Sequence, residues 1–143
     1  MMTLSQRIER LERAASSDLS TLDNLHELRL ASKSVRYSLA ELEAVRPVAA
    51  LPPAIEALAE LQRRLGDVND LATLVTRIEC WAKEGAAGAV TMEPLRAGLA
   101  LVRDARAQRA REHWAGHRDS LLALLHAVRA AVAPVRTPAP AAE

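Results

Sequence analysis

The chain has 143 residues, enough for one domain with a sizeable core, and a formal net charge of only +1, which by itself implies no polyanionic partner. Half of the residues are apolar, which excludes a disordered chain. They are mostly Ala and Leu, with no Phe, one Tyr and two Trp, a composition that favours helix over sheet. The single cysteine, Cys80, excludes an intrachain disulfide and fits a reducing compartment.

From Met1 to Ala15, charged residues alternate with Leu4, Ile8 and Leu11, leaving no uninterrupted apolar stretch of the kind a signal peptide needs. No run approaches the length of a membrane span, so the expected home is the cytoplasm. Thr3 and Gln6 form the pattern of a capping box for a short first helix. Asp18, Ser20 and Thr21 are cap candidates for a second helix running to about Val45, before Pro47. Its seam, Leu25, Leu28, Ser32, Val35, Leu39 and Leu42, steps by three and four as one buried stripe requires.

Pro52 and Pro53 suit the first turn of a third helix with Ile55, Leu58, Leu61 and Leu65 inward. Gly66 is expected to interrupt it, and Asp67 to cap a fourth helix carrying Val68, Leu71, Leu74, Val75 and Ile78. Gly85 and Gly88 bracket a loop. Thr91 then caps a last helix with Pro94 in its first turn, reaching Val132, with Gly116 the place for a bend. The fold class is therefore all-α, a four- to five-helix bundle with one long C-terminal helix. It forms a single domain over residues 1–133, and the Pro/Ala-rich tail 134–143 is expected to be disordered.

On a wheel of about 100° per residue, His26, Arg29, Lys33 and Arg36 fall within an arc of about 80° directly beside the apolar seam. Glu27, Ser34 and Glu41 project elsewhere, so the ridge is not neutralised by its own i,i+4 partners. Four donors over roughly 15 Å suit an extended anion better than one small phosphate. The same pattern also fits a solvated flank, with long cationic side chains lying beside the seam and their heads in water.

The last helix adds weight to the first alternative. Arg106, Arg109, His113 and His117 share a face with Leu95, Leu99 and Val102, so a stripe that starts apolar turns cationic half-way along. The other reading is a helix that outruns the bundle and meets solvent there. His113 and His117 have the spacing of a metal pair, but no acid or Cys completes the set and the arginines repel a cation, so no metal and no cofactor is expected. Asp67 and Asp70 read best as helix-start acids, with Asp70 a candidate to hold one of the ladder cations. Cys80 is expected to be a buried core thiol. No phosphate-binding glycine loop and no Ser/His/Asp constellation supports catalysis, so no enzyme is expected. Nucleic acid is the weaker partner, because base stacking calls for aromatics.

Two families fit these residues. His26, Arg29, Lys33, Arg36 and Tyr37 stand at the spacing His-x-x-Arg-x-x-x-(Lys/Arg)-x-x-Arg, often followed by Tyr, that opens the repeat of the CHAD domain, the conserved-histidine α-helical domain. Leu65, Gly66, Asp70 and Leu71 resemble its Leu-Gly-x-x-x-Asp-Leu element, and Arg103 through Trp114 resembles its Arg-rich last helix. The resemblance spans roughly residues 20 to 130. It implies a helical bundle that binds inorganic polyphosphate, in the cytoplasm and in some cases at polyphosphate granules. His26, Arg29, Lys33 and Arg36 would be the anion ligands, Arg106, Arg109 and His113 would assist, and Tyr37 would pack or donate one hydrogen bond. A full CHAD domain has two such repeats around a basic channel and this chain has room for one; a homodimer is expected to supply the other half, the alternative being a half-domain with weakened binding.

The second family is the histidine phosphotransfer domain. His26, Leu28, Arg29 and Ser32 resemble its His-x-Leu-Lys-Gly-x-Ser motif, which would make His26 a phospho-acceptor. Leu30 stands where that motif has glycine, and neither Lys33 nor the Leu65–Leu71 element is explained. A third reading is a helical adaptor whose basic face meets an acidic protein.

Overall fold

Thr3 begins the first helix as its sequence context dictates. Its hydroxyl accepts from the Gln6 amide at 3.2 Å, and its own amide donates to Gln6 Oε1 at 2.8 Å. The computed structural model describes residues 1–85 and 89–133; the expected disorder of 134–143 and the role of Gly88 lie outside the described residues. Four helices follow one another, α1 (Leu4–Ala15), α2 (Leu22–Val45), α3 (Leu51–Lys83) and α4 (Ala89–Val132), with no strand among the described residues. Thr21 is the cap of α2, accepting from the Asn24 amide at 3.2 Å, while Asp18 instead holds the Ser20 amide in the preceding turn.

The core is the sum of one stripe from each helix: Ile8 and Leu11, then Leu28, Val35 and Leu39, then Leu58, Leu61 and Leu65, then Trp114, Leu121, Leu125 and Val128. Burying each large side chain contributes about 1.5–3 kcal/mol. Ser32, the one buried polar residue among those described, sits in the α2 seam and donates its hydroxyl to the Leu28 and Arg29 carbonyls, which removes the cost of burying it. α3 packs on both α2 and α4, α1 packs on α2 and lightly on α4, and α2 and α4 stand on opposite flanks of α3.

Several local expectations give way to tertiary packing. Gly66 does not interrupt the chain: α3 runs unbroken from Leu51 to Lys83. A helical glycine costs about 1 kcal/mol, less than the buried run of Leu61, Leu65 and Val68 on either side of it returns. Asp67 is consequently mid-helix and caps nothing. The break comes at Gly85, whose φ of 69° is the left-handed conformation that terminates helices. α4 begins at Ala89 and Pro94 lies inside it, while the capping role expected of the Thr91 side chain falls outside what is described; α4 continues past Gly116 as one helix.

At about 1.5 Å per residue, α3 and α4 are roughly 50 and 65 Å long, far longer than α1 and α2. His26 faces Asn69, and the start of α2 shares a cavity with α3 as far as Thr76 and Arg77. The two long helices continue as a projecting hairpin, closed by Val75 and Ile78, which are buried but separate from the main core. Cys80 therefore is exposed rather than a core thiol. Leu74, Leu95 and Val102, expected inward, are 39%, 56% and 45% exposed, because no third helix reaches them.

Candidate functional site

The α2 seam fixes the α2 ladder. With Leu25, Leu28, Val35 and Leu39 buried, Arg29 and Arg36 emerge half-buried at the α3 edge, and His26 and Lys33 emerge exposed. Glu27 turns the other way and takes Arg10 of α1 at 2.8 Å, and Ser34 accepts from Arg7 at 2.7 Å, so both point away from the ladder as the wheel requires. Arg29, Lys33 and Arg36 have no ion pair among the described residues, and no acid stands three or four positions from any of them on α2. Tyr37 is half-exposed and receives Arg36 at 5.0 Å and Lys33 at 5.8 Å over its ring, which holds the two cations apart from solvent on one side. The Arg36 Nε is buried without a hydrogen-bond partner. His26 Nδ1 lies 3.1 Å from Asn69 Oδ1, so Asn69, rather than Asp70, is the residue of that segment that meets the ladder. Asp70 is exposed and carries no ion pair among the described residues.

The α4 cations are differently placed. Arg106 reaches Asp67 at 3.4 Å, and Asp67 also lies 4.0 Å from Arg63. Arg109 lines a cavity of about 210 Å³ with Arg63, Arg64, Asp67 and Arg106. Arg63 and Arg64 share Glu60, at 2.7 and 2.9 Å, and the Arg63 guanidinium together with Arg64 holds the Glu60 carboxyl down to about 2. His113 stacks on His117 with centroids 4.1 Å apart, beside Glu60 and Trp114. Burial pushes the His113 pKa down, and His117 and Arg64 push it further in the same direction, so its imidazole resists taking a charge.

The two sets of cations do not converge on one point. On α3, Asn69 on the α2 side and Asp67 on the α4 side lie about 160° apart, with Arg63, Gly66 and Asp70 between them on the open face. Arg29 and Arg106 consequently lie on either side of α3 at the same level. Such a surface offers an extended anion a row of donors on α2 and the arginine-lined cavity on the α4 side. Arg63 and Arg64 are absent from the sequence-derived set. Their only sequence signal is that they immediately precede Leu65, and their membership depends on a neighbour in α4. Among the described residues, no group of three or more His, Cys, Asp or Glu side chains is placed to hold a metal, and no helix is long and apolar enough to cross a membrane.

A family model described as the CHAD domain matches residues 2–79, just over half of the chain. The match contains α1, the whole α2 ladder and the Leu65–Leu71 element, and it stops before α4. Neither the curated proteins nor the solved structures contain a significant match to the chain.

Proposed function

The chain belongs to the CHAD-domain family, which occurs in polyphosphate-related proteins, and on that premise we propose that it binds inorganic polyphosphate, without chemistry, through the α2 ladder. The observation that carries the reading is the unneutralised row Arg29, Lys33 and Arg36. Like charges three and four apart on a helix destabilise it by about 0.2–0.5 kcal/mol per pair, and here no acid offsets them. An anion laid along the row offsets that repulsion and supplies charge-assisted hydrogen bonds to guanidinium and ammonium groups. Arg63, Arg106 and Arg109 across α3 extend the surface for longer chains. The proposal includes the homodimer, and association with polyphosphate granules follows if long chains are the ligand.

The test is a titration against polyphosphates of increasing length, with orthophosphate and DNA as controls, at several salt concentrations. Affinity is expected to rise with chain length, because many contacts act together, and to fall steeply with salt. Equal affinity for short and long chains, or preference for DNA, would overturn the reading.

A further inference from the structure

The projecting hairpin leaves an apolar face without cover. Among the described residues, Leu74 and Trp81 of α3 and Leu95 and Val102 of α4 are 39 to 56% exposed, although the start of α2 shares a cavity with Thr73, Thr76 and Arg77 beside them. Asp67 beside Arg106 sets the antiparallel register of the two helices, and in that register these four side chains fall on the same side of the hairpin. A contiguous exposed apolar face on an otherwise charged surface is characteristic of an interaction site.

The charges beside that face are self-complementary. At about 100° per residue, Asp70, Leu74, Arg77 and Trp81 fall within roughly 60° of one another on the α3 surface. Asp70 and Arg77 are both exposed and neither has an ion pair among the described residues. A two-fold axis passing between Thr73 and Leu74 sets Asp70 of one copy opposite Arg77 of the other, and the reverse. The same operation lays Trp81 over the partner copy's Gly66, where no atom lies within 4 Å of the position a Cβ would take. One register thus pairs both charges, covers the indole and centres Leu74. We infer that this face of α3, widened by Leu95 and Val102, is where a second copy of the chain docks, antiparallel, about that axis. The inference rests on the homodimer of the proposed function and gives it a face; because that face includes Gly66 and Asp70, a polyphosphate crossing α3 from Arg29 to Arg106 competes with docking there, and the test is therefore made without anion.

The single cysteine provides the ruler. Cys80 is exposed and off the centre of the contact. The axis places the two Cys80 Cα atoms about 20–25 Å apart, from 1.5 Å per residue along the helices and one interhelical spacing between them. Spin labels on Cys80 of the full chain, without polyphosphate, are expected to give one distance distribution near that value, broadened by the label arms. Sedimentation velocity is the second measurement. Asp70→Arg sets like charges opposite at two places and is expected to weaken the dimer at least tenfold. Asp70→Arg combined with Arg77→Asp is expected to restore it to within about threefold. Circular dichroism confirms that each variant is folded. A chain that remains monomeric at about 100 µM, a label distance well outside that range, or a dimer indifferent to the single reversal would overturn the inference. Since all readings are made without polyphosphate, they leave the anion assignment to be judged by its own titration.

Discussion

On α2, Arg29, Lys33 and Arg36 follow one another at steps of four and three, and none of them has an ion pair among the described residues. On α4, Arg103, Arg106 and Arg111 also step by three and five along one helix, and each is engaged: Arg103 with Asp104 at 3.0 Å, Arg106 with Asp67 at 3.4 Å, and Arg111 with the Leu19 and Ser20 carbonyls at 2.6 and 3.1 Å. Spacing is therefore a poor discriminator between structural and ligand-binding arginines. What separates the rows is whether the fold brings an acceptor to them. Arg111 ties α4 to the turn before α2, whereas the cations of α2 make the fold slightly less stable and gain only when an anion arrives.

The sharpest way to break this comparison is Arg29→Ala with Lys33→Ala. Two charge-assisted hydrogen bonds of about 1.5–3 kcal/mol each are lost, so affinity for long polyphosphate is expected to fall on the order of 100-fold or more, with helix content unchanged by circular dichroism. Arg111→Ala is the counterpart on α4. It removes the tie between α4 and the turn before α2, and is expected to cost about 1–2 kcal/mol in urea unfolding while leaving polyphosphate affinity within about twofold. The comparison inverts if Arg111→Ala weakens binding and the double variant weakens folding.

A smaller change converts an engaged cation into a free one. Asp67→Asn frees Arg106 and removes a negative charge from the open face of α3. Exposed ion pairs contribute about 0–1 kcal/mol, so stability is expected to change little, and calorimetric titration is expected to show polyphosphate affinity rising about two- to fivefold. An unchanged affinity would confine the binding surface to α2.

The ladder was legible in the sequence because it is local to one helix: the seam from Leu25 to Leu39 fixes the rotation of α2, and the rotation fixes which side His26, Arg29, Lys33 and Arg36 occupy. The caps Thr3 and Thr21 were legible for the same reason. The misreadings at Gly66, Asp67, Cys80 and Leu74 share a different cause. Each depends on where one helix ends against another, and His26 facing Asn69 across 43 residues is not visible in any periodicity. Arg63 and Arg64 were missed on the same ground, since only the partner helix supplies Arg106 and Arg109 beside them.

His113 gives the most delicate test of whether α4 belongs to the site. Burial, His117 and Arg64 hold its pKa below the ordinary histidine value of 6.5. A depressed value means that the unfolded chain binds the proton more readily, so this residue's contribution to stability is fully present above pH 6.5 and is lost as pH falls through the window below it. Proton NMR titration is expected to place the His113 midpoint below 6.5. Arg64→Gln removes one repelling charge and is expected to move that midpoint upward. Long polyphosphate acts on the same midpoint with the same sign: an anion laid from the α2 ladder across Arg63 and Arg109 favours the imidazolium and raises the midpoint. A midpoint unmoved by saturating polyphosphate, in a protein whose Arg29 and Lys33 still bind it, would leave α4 as scaffold and α2 as the whole of the site.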